Sequence, residues 1–294
     1  MNERYAVDPA APADARELKL LLDLFGLQTG RFLARYPQDW PTQLLAQVGK
    51  VSEMDRQRVL DLLQRRKSSL MPVVAPFVLG SSWSNNAAIA IDSHRAFAGV
   101  IGQKPNGFGW PTTEQVLYED GGGLLQAQGA HVPMKAASYL GCVQPLFQAS
   151  AEVTLIDPYF TLRNKGGQRC HRRWPVLQML LKAAEQSGTC QTLRLVLERG
   201  QIEATQGSED RLEQDLEAAV SEARVRRVDL EYEVRDSVGH GRYLISIHGG
   251  LQFDQGFEES HRGDKRDNHV HWLSTPELDP LLRRFGRNTN LAAR

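Results

Sequence analysis

Val153-Thr154-Leu155-Ile156-Asp157-Pro158-Tyr159-Phe160 carries the main architectural signal of the chain. Its short apolar run ends abruptly at Asp157-Pro158, and an unbroken apolar strand is the habit of parallel sheets covered on both faces. Downstream, Pro175 can open a helix and Gly188 can close it. Leu193, Leu195 and Leu197 then fall on one face of a second strand. Ser208 can cap a further helix, with Glu209 and Asp210 at its positive end and Leu212, Leu216, Ala219 and Ala223 facing inward. Val228, Leu230, Tyr232 and Val234 alternate with charged residues as a third strand. Upstream, Pro133 suits a first helical position, followed by the apolar face Ala136, Tyr139, Leu140, Val143, Leu146 and Phe147. With the strand-like pattern of residues 239–258 that follows, the order β-α-β-α-β-β predicts an α/β domain over residues 133–294, with a mixed, mostly parallel sheet flanked by helices.

Residues 1–132 read differently. Asp8-Pro9-Ala10-Ala11-Pro12-Ala13 reads as a flexible lead-in, and 16–25 as a buried helix ended by Gly26. Helices are expected over 42–48 and after Ser52, and β-like runs over 73–79 and 87–91. Turn signals follow at Pro105-Asn106-Gly107, Gly109-Trp110-Pro111 and Asp120-Gly121-Gly122-Gly123. None of these glycine runs ends in Gly-Lys-Ser/Thr, so no nucleotide-binding loop is assigned; Gly80-Ser81 followed by Asn85 reads as a capped turn, with a phosphate-cradling Gly-Ser/Asn element as the alternative. The expectation for residues 1–132 is a helical and β region that could serve as a partner-binding domain.

The 35 basic and 35 acidic residues among 294 cancel, so any anionic partner must be met by a local patch rather than a global field. Cys142, Cys170 and Cys190 are odd in number and spaced like neither a zinc nor a disulfide framework, which suits a reducing compartment. With no apolar leader and no uninterrupted apolar run of about 18 residues, the expectation is a cytoplasmic protein without a transmembrane segment.

The strand end at Asp157 feeds a loop carrying Arg163, Lys165, Arg169, His171, Arg172 and Arg173, with no acid between Pro158 and Ala184. Ligands of open parallel sheets bind beyond the carboxyl ends of the strands, and Arg chelates phosphate oxygens in pairs. The loop is therefore either a phosphate-sized anion site or a solvated basic loop. Arg199, at the next strand end, is a further phosphate candidate or the partner of neighbouring Glu198.

The third feature at that edge is Gly239-His240-Gly241-Arg242, continued by Gly249-Gly250-Leu251-Gln252-Phe253 and Gly256-Phe257-Glu258. Taken with Ile156-Asp157-Pro158-Tyr159-Phe160, these motifs resemble the phospholipase D-like domain at the C-terminus of MIT-domain proteins, over about residues 150–258. The resemblance implies a phospholipase D-like fold, homodimerisation, and descent from enzymes in which a His attacks phosphorus while a Lys and an Asn hold the phosphate. His240 matches that His and Arg242 replaces the Lys, but Ile247 stands at the position of the Asp and Asp254-Gln255 at that of the Gly-Ser. The resemblance thus implies a degenerate site, catalytic in descent at His240 and Arg242, that binds a phosphodiester from nucleic acid or an anionic lipid. The alternatives are an active metal-independent nuclease or phosphodiesterase, with His240 donated by both copies of a dimer, and a subunit whose fold only dimerises. Ala, Leu, Gln and Arg usage suggests a bacterial chain, where such a domain would serve a multi-protein system such as anti-phage defence. No cofactor is expected.

Near the C-terminus, Asp267, His269 and His271 would share one face of a strand, with His261 and Asp264 upstream. They form a weak metal-ligand candidate whose alternative is an exposed strand end. A final helix over 276–285 would bury Leu278, Leu281, Leu282 and Phe285.

Overall fold

The computed structural model describes residues 2–48, 53–103, 107–119, 129–261 and 264–287. The expected Ser52 cap and the turns at Pro105-Asn106 and 120–123 lie outside them. The chain divides into two compact units, Met1–Gln128 and Gly129–Arg294. No helix among the described residues is long and apolar enough to cross a membrane.

The first unit is itself an α/β layer. β1 (Glu3–Val7), β2 (Arg31–Arg35), β3 (Leu70–Pro72) and β4 (Gly99–Ile101) form a parallel sheet in the order β3-β2-β1-β4. Helices α1 (Ala15–Asp23), α2 (Trp40–Val48), α3 (Glu53–Arg65) and α5 (Thr113–Tyr118) contribute to one core with Val7, Leu33 and Ile101, while α4 (Trp83–His94) packs with Ala6, Ala34 and Val100. Two expectations are corrected. The segment after Val7 is no free lead-in: Asp8 donates its N–H to the Ile101 carbonyl (2.9 Å) and accepts the Ala10 N–H (2.9 Å), and Ala11 is buried. Residues 87–91 belong to α4, because Ser82 caps the Asn85 N–H (3.1 Å) and Ala87 and Ala90 lie on a helical, not alternating, buried face. The run 73–79 forms no strand either; buried Asn86 takes the Val78 N–H at 2.7 Å.

The second unit carries a seven-stranded sheet in the order β5-β11-β10-β9-β6-β7-β8. Its strands are β5 (Gly129–Pro133), β6 (Glu152–Ile156), β7 (Thr192–Glu198), β8 (Asp229–Arg235), β9 (Tyr243–Ser246), β10 (Gly249–Phe253) and β11 (Asp267–Trp272). β6, β7 and β8 run parallel as the β-α-β pattern requires, but every pairing from β6 through β9, β10 and β11 to β5 is antiparallel. The sheet is mixed rather than mostly parallel. The physical reason is the connection: β9 and β10 are joined by the two-residue turn Ile247-His248, too short to cross over. Pro133 closes β5 instead of opening a helix; α6 (Ala136–Ala149) begins three residues later.

The anticipated helices appear as α7 (Trp174–Ser187), with Pro175 in its first turn and Gly188 left-handed at φ 67°, and α9 (Glu209–Ala223), capped by Ser208. Short α8 spans Arg199–Thr205. The last helix, α10 (Thr275–Phe285), lays Leu278, Leu282 and Phe285 on Ile156, Val196 and Ile245. Beneath its C-terminus buried Arg194 donates to the Phe285 carbonyl and to Glu233 (3.0 Å), where a cation complements the negative end of a helix.

Candidate functional site: a basic cleft beside Asp157

Register brings the three motifs of the resemblance together. Ile156 pairs with Tyr243 across β6 and β9, and the Phe253 N–H donates to the Arg242 carbonyl (2.9 Å), so the segments 157–160, 240–242 and 254–258 meet at one sheet edge. Asp157 is their centre. Fully enclosed, it accepts the N–H groups of Tyr159 (2.9 Å) and Phe257 (3.3 Å), and Arg242 Nε lies 3.9 Å from its carboxylate. Burial pushes its carboxyl above the ordinary Asp range despite these opposing partners. Gly256, at φ 81°, is needed here: a Cβ would stand 2.8 Å from Arg242 Cδ and 3.0 Å from Asp157 Oδ2.

Arg242 is committed to this scaffold. Its Nη1 donates to the Asp254 carbonyl (2.7 Å) and its guanidinium lies over the Tyr159 ring at 5.0 Å. His240 is exposed, with Nδ1 3.0 Å from the Tyr159 hydroxyl. If Nδ1 carries the proton and donates it to Tyr159, Nε2 keeps a lone pair and is nucleophilic; the opposite tautomer is not. Ile247, at the position of the resembling family's Asp, sits in the turn at the far end of β9 from His240.

The basic loop does line a cleft, of about 390 Å³, with Tyr159 in its wall. Its charges are distributed unequally. Arg163 forks onto Asp215 through Nε and Nη2, both at 2.7 Å, and its Nη1 holds the Gly167 carbonyl. Arg169 lies 3.8 Å over the Trp174 ring and pairs with Glu222 at 2.9 Å. Arg172 and Arg173 share Glu258; Arg172 Nε also donates to the Glu259 carbonyl (2.7 Å) and Arg173 Nη1 to Thr161 (2.9 Å). Lys165 is exposed and forms no ion pair among the described residues. Two guanidinium groups on one carboxylate, together with Lys165, leave the cleft net positive.

Arg199 does not line this cleft. It is held by Glu209 (2.6 Å) and Asp236 (2.9 Å) rather than by neighbouring Glu198, which accepts the Val238 N–H. His171 and His261 line the cleft wall with ring centroids 6.3 Å apart, and Arg172 Nη1 is 3.4 Å from His261 Nε2. His261 therefore sits with the basic loop and not with Asp267, His269 and His271. Sequence reasoning quoted Tyr159 and Glu258 only within motifs and gave neither a role in the cleft. The acids balancing the loop come from α9 and from the segment after β10, so a count of charges along the loop overstated its positive charge.

No protein-family profile and no curated protein matches this chain.

Proposed function

We propose that the second unit is a phospholipase D-like domain that binds a phosphate ester in the cleft walled by Tyr159, Lys165, Arg172 and Arg173, without cleaving it. The carrying observation is the shared Glu258: two guanidinium groups held by one carboxylate keep both forks oriented while leaving spare charge and donors for an anion. The convergence of the segments around Asp157, His240 and Glu258 supports the phospholipase D-like reading. Binding without turnover fits Arg242, whose guanidinium is spent on Asp157, Asp254 and Tyr159. It also fits His240, which no carboxylate orients among the described residues. Homodimerisation, a protein partner for the first unit and service in a bacterial defence system belong to the same proposal.

The cleanest test is Lys165→Glu, because that side chain is exposed and forms no ion pair among the described residues. Wild-type protein should bind fluorescent single-stranded DNA at low salt, or vesicles containing phosphatidic acid. The variant should bind more weakly, with a salt slope for DNA shallower by roughly one phosphate contact. Equal binding by both proteins removes the cleft from the proposal. The Tyr159–His240 hydrogen bond favours one second reading, a metal-independent phosphodiesterase; turnover of bis-p-nitrophenyl phosphate in EDTA, abolished by His240→Ala, would establish it in place of binding alone.

A further inference from the structure

At the other end of the sheet order, β10, β11 and the edge strand β5 bring together a cluster that the phosphate reading does not use. His269 and His271 are two residues apart on β11 and so project from the same face. Asp254 follows β10 and donates its backbone N–H to the His269 carbonyl at 3.1 Å, which makes it the cross-strand neighbour of His269. One donor atom from each of Asp254, His269 and His271 lies within 4.8 Å of the others. His269 Nδ1 and Asp254 Oδ2 are already 3.4 Å apart. A tetrahedral zinc ion with bonds of about 2.0–2.1 Å separates its ligand atoms by roughly 3.4 Å, so this pair needs no rearrangement.

Two independent observations point to a ligand rather than a plain ion pair. The Nδ1 atom of His271 is buried and makes no hydrogen bond, an uncommon state for a buried ring nitrogen. Gly129 of β5 stands opposite His271 in register, and a Cβ there would lie 3.0 Å from His269 Nε2 and 3.1 Å from His271 Cβ. The edge strand is thus bare of side chain where the two imidazoles need room. His131, the β5 partner of His269, adds a third imidazole beside them, its ring centroid 5.1 Å from that of His269.

We propose that Asp254, His269 and His271 form a binding site for a divalent transition metal of the zinc class. Two neutral imidazoles and one carboxylate match that class rather than Mg²⁺ or Ca²⁺, which take oxygen ligands. The acid of the set is Asp254; Asp267, which the strand pattern alone suggested, is exposed and outside the cluster.

The untagged full chain, stripped with EDTA and dialysed, is titrated with ZnCl₂ by calorimetry and with CoCl₂ by visible absorption. A single Zn²⁺ should bind per chain, Co²⁺ should give the intense bands of a four- or five-coordinate site, and MgCl₂ should give no heat. His269→Ala and His271→Ala should each weaken Zn²⁺ binding at least about tenfold, and Zn²⁺ should raise the melting temperature of the wild type only. Asp254→Asn, at a half-exposed position, keeps the test sound if a His variant misfolds, and should weaken binding likewise. His171→Ala with His261→Ala serves as the control and should bind as wild type. Absence of stoichiometric binding, undiminished binding by folded His269→Ala, His271→Ala or Asp254→Asn, or loss of binding in the control pair would overturn the assignment.

Discussion

Arg163→Ala separates a loop anchor from a phosphate clamp. Arg163 meets Asp215 with two hydrogen bonds of 2.7 Å, and Asp215 is only 7% exposed, its other hydrogen bond among the described residues coming from the Gln206 side-chain amide at 3.1 Å. Removing the guanidinium leaves a buried carboxylate with one neutral donor. Breaking a buried pair costs roughly 3–5 kcal/mol. Because the Arg163 side chain is itself a quarter exposed, water can reach the site and the lower end applies, about 3 kcal/mol. For a unit the size of Gly129–Arg294 this lowers the melting temperature by roughly 6–12 °C. Urea unfolding followed by circular dichroism, with calorimetry alongside, measures both quantities. Arg163→Lys, which keeps the charge but not the fork, should lose about 1–2 kcal/mol. The double variant Arg163→Leu with Asp215→Leu should be more stable than Arg163→Ala alone, since no charge is then left unpaired. DNA or vesicle binding by Arg163→Ala, assayed well below its melting temperature, should stay close to wild type. A loss under about 1 kcal/mol for Arg163→Ala, or a double variant worse than the single, would mean that the Arg163–Asp215 pair is not a buried anchor of the loop.

Gly256→Ala should cost roughly 1–3 kcal/mol in urea unfolding, because its φ of 81° disfavours a side chain and the added Cβ collides with Arg242 and Asp157. Asn268→Ala should cost about 1–3 kcal/mol, since the fully buried amide accepts the Gln255 N–H (2.8 Å) and donates to the Gly256 carbonyl (2.9 Å) and the Tyr139 hydroxyl. Burial raises the Asp157 pKa, so the native state holds that proton more tightly than the unfolded chain does. The stability Asp157 contributes is therefore greatest below the ordinary Asp pKa and is lost as pH rises through the raised native value. The stability difference between wild type and Asp157→Asn, measured by urea unfolding from acid to neutral pH, should move against the wild type as pH rises; the opposite trend refutes it. Burial pushes the Cys142 and Cys190 thiols up to about 11, so iodoacetamide at pH about 8 should label these two slowly in native protein and quickly in urea, as mass spectrometry of the peptides will show.

The α/β character of the second unit, the ends of α7 at Pro175 and Gly188 and of α9 at Ser208, and the parallel trio β6, β7 and β8 were legible in the sequence, because capping and burial periodicity act over a few residues. The order of the remaining strands was not. Whether β9 joins β6 parallel or antiparallel depends on the direction in which the chain returns from β8 to lie beside β6, which no local pattern encodes. The N-terminal sheet was hidden for a related reason: β3 and β4 are only three residues long and are edge strands, each held by one neighbour remote in sequence, β2 for β3 and β1 for β4. Residues 87–91 carry a β-like Ala/Ile run, and the Ser82 cap with the face-sharing of Ala87 and Ala90 made them a helix.

The same division runs through the candidate sites. Local pattern is enough to see that cations crowd residues 163–173, that His240 and Arg242 follow a strand, and that His269 and His271 share a face. What those groups touch comes from the fold, since charge and coordination are settled by distance in space. Asp215, Glu222 and Glu258 arrive from remote segments to take up most of the basic loop, Tyr159 claims the ring of His240, and Asp254 crosses from β10 to stand where Asp267 had been expected beside the two imidazoles.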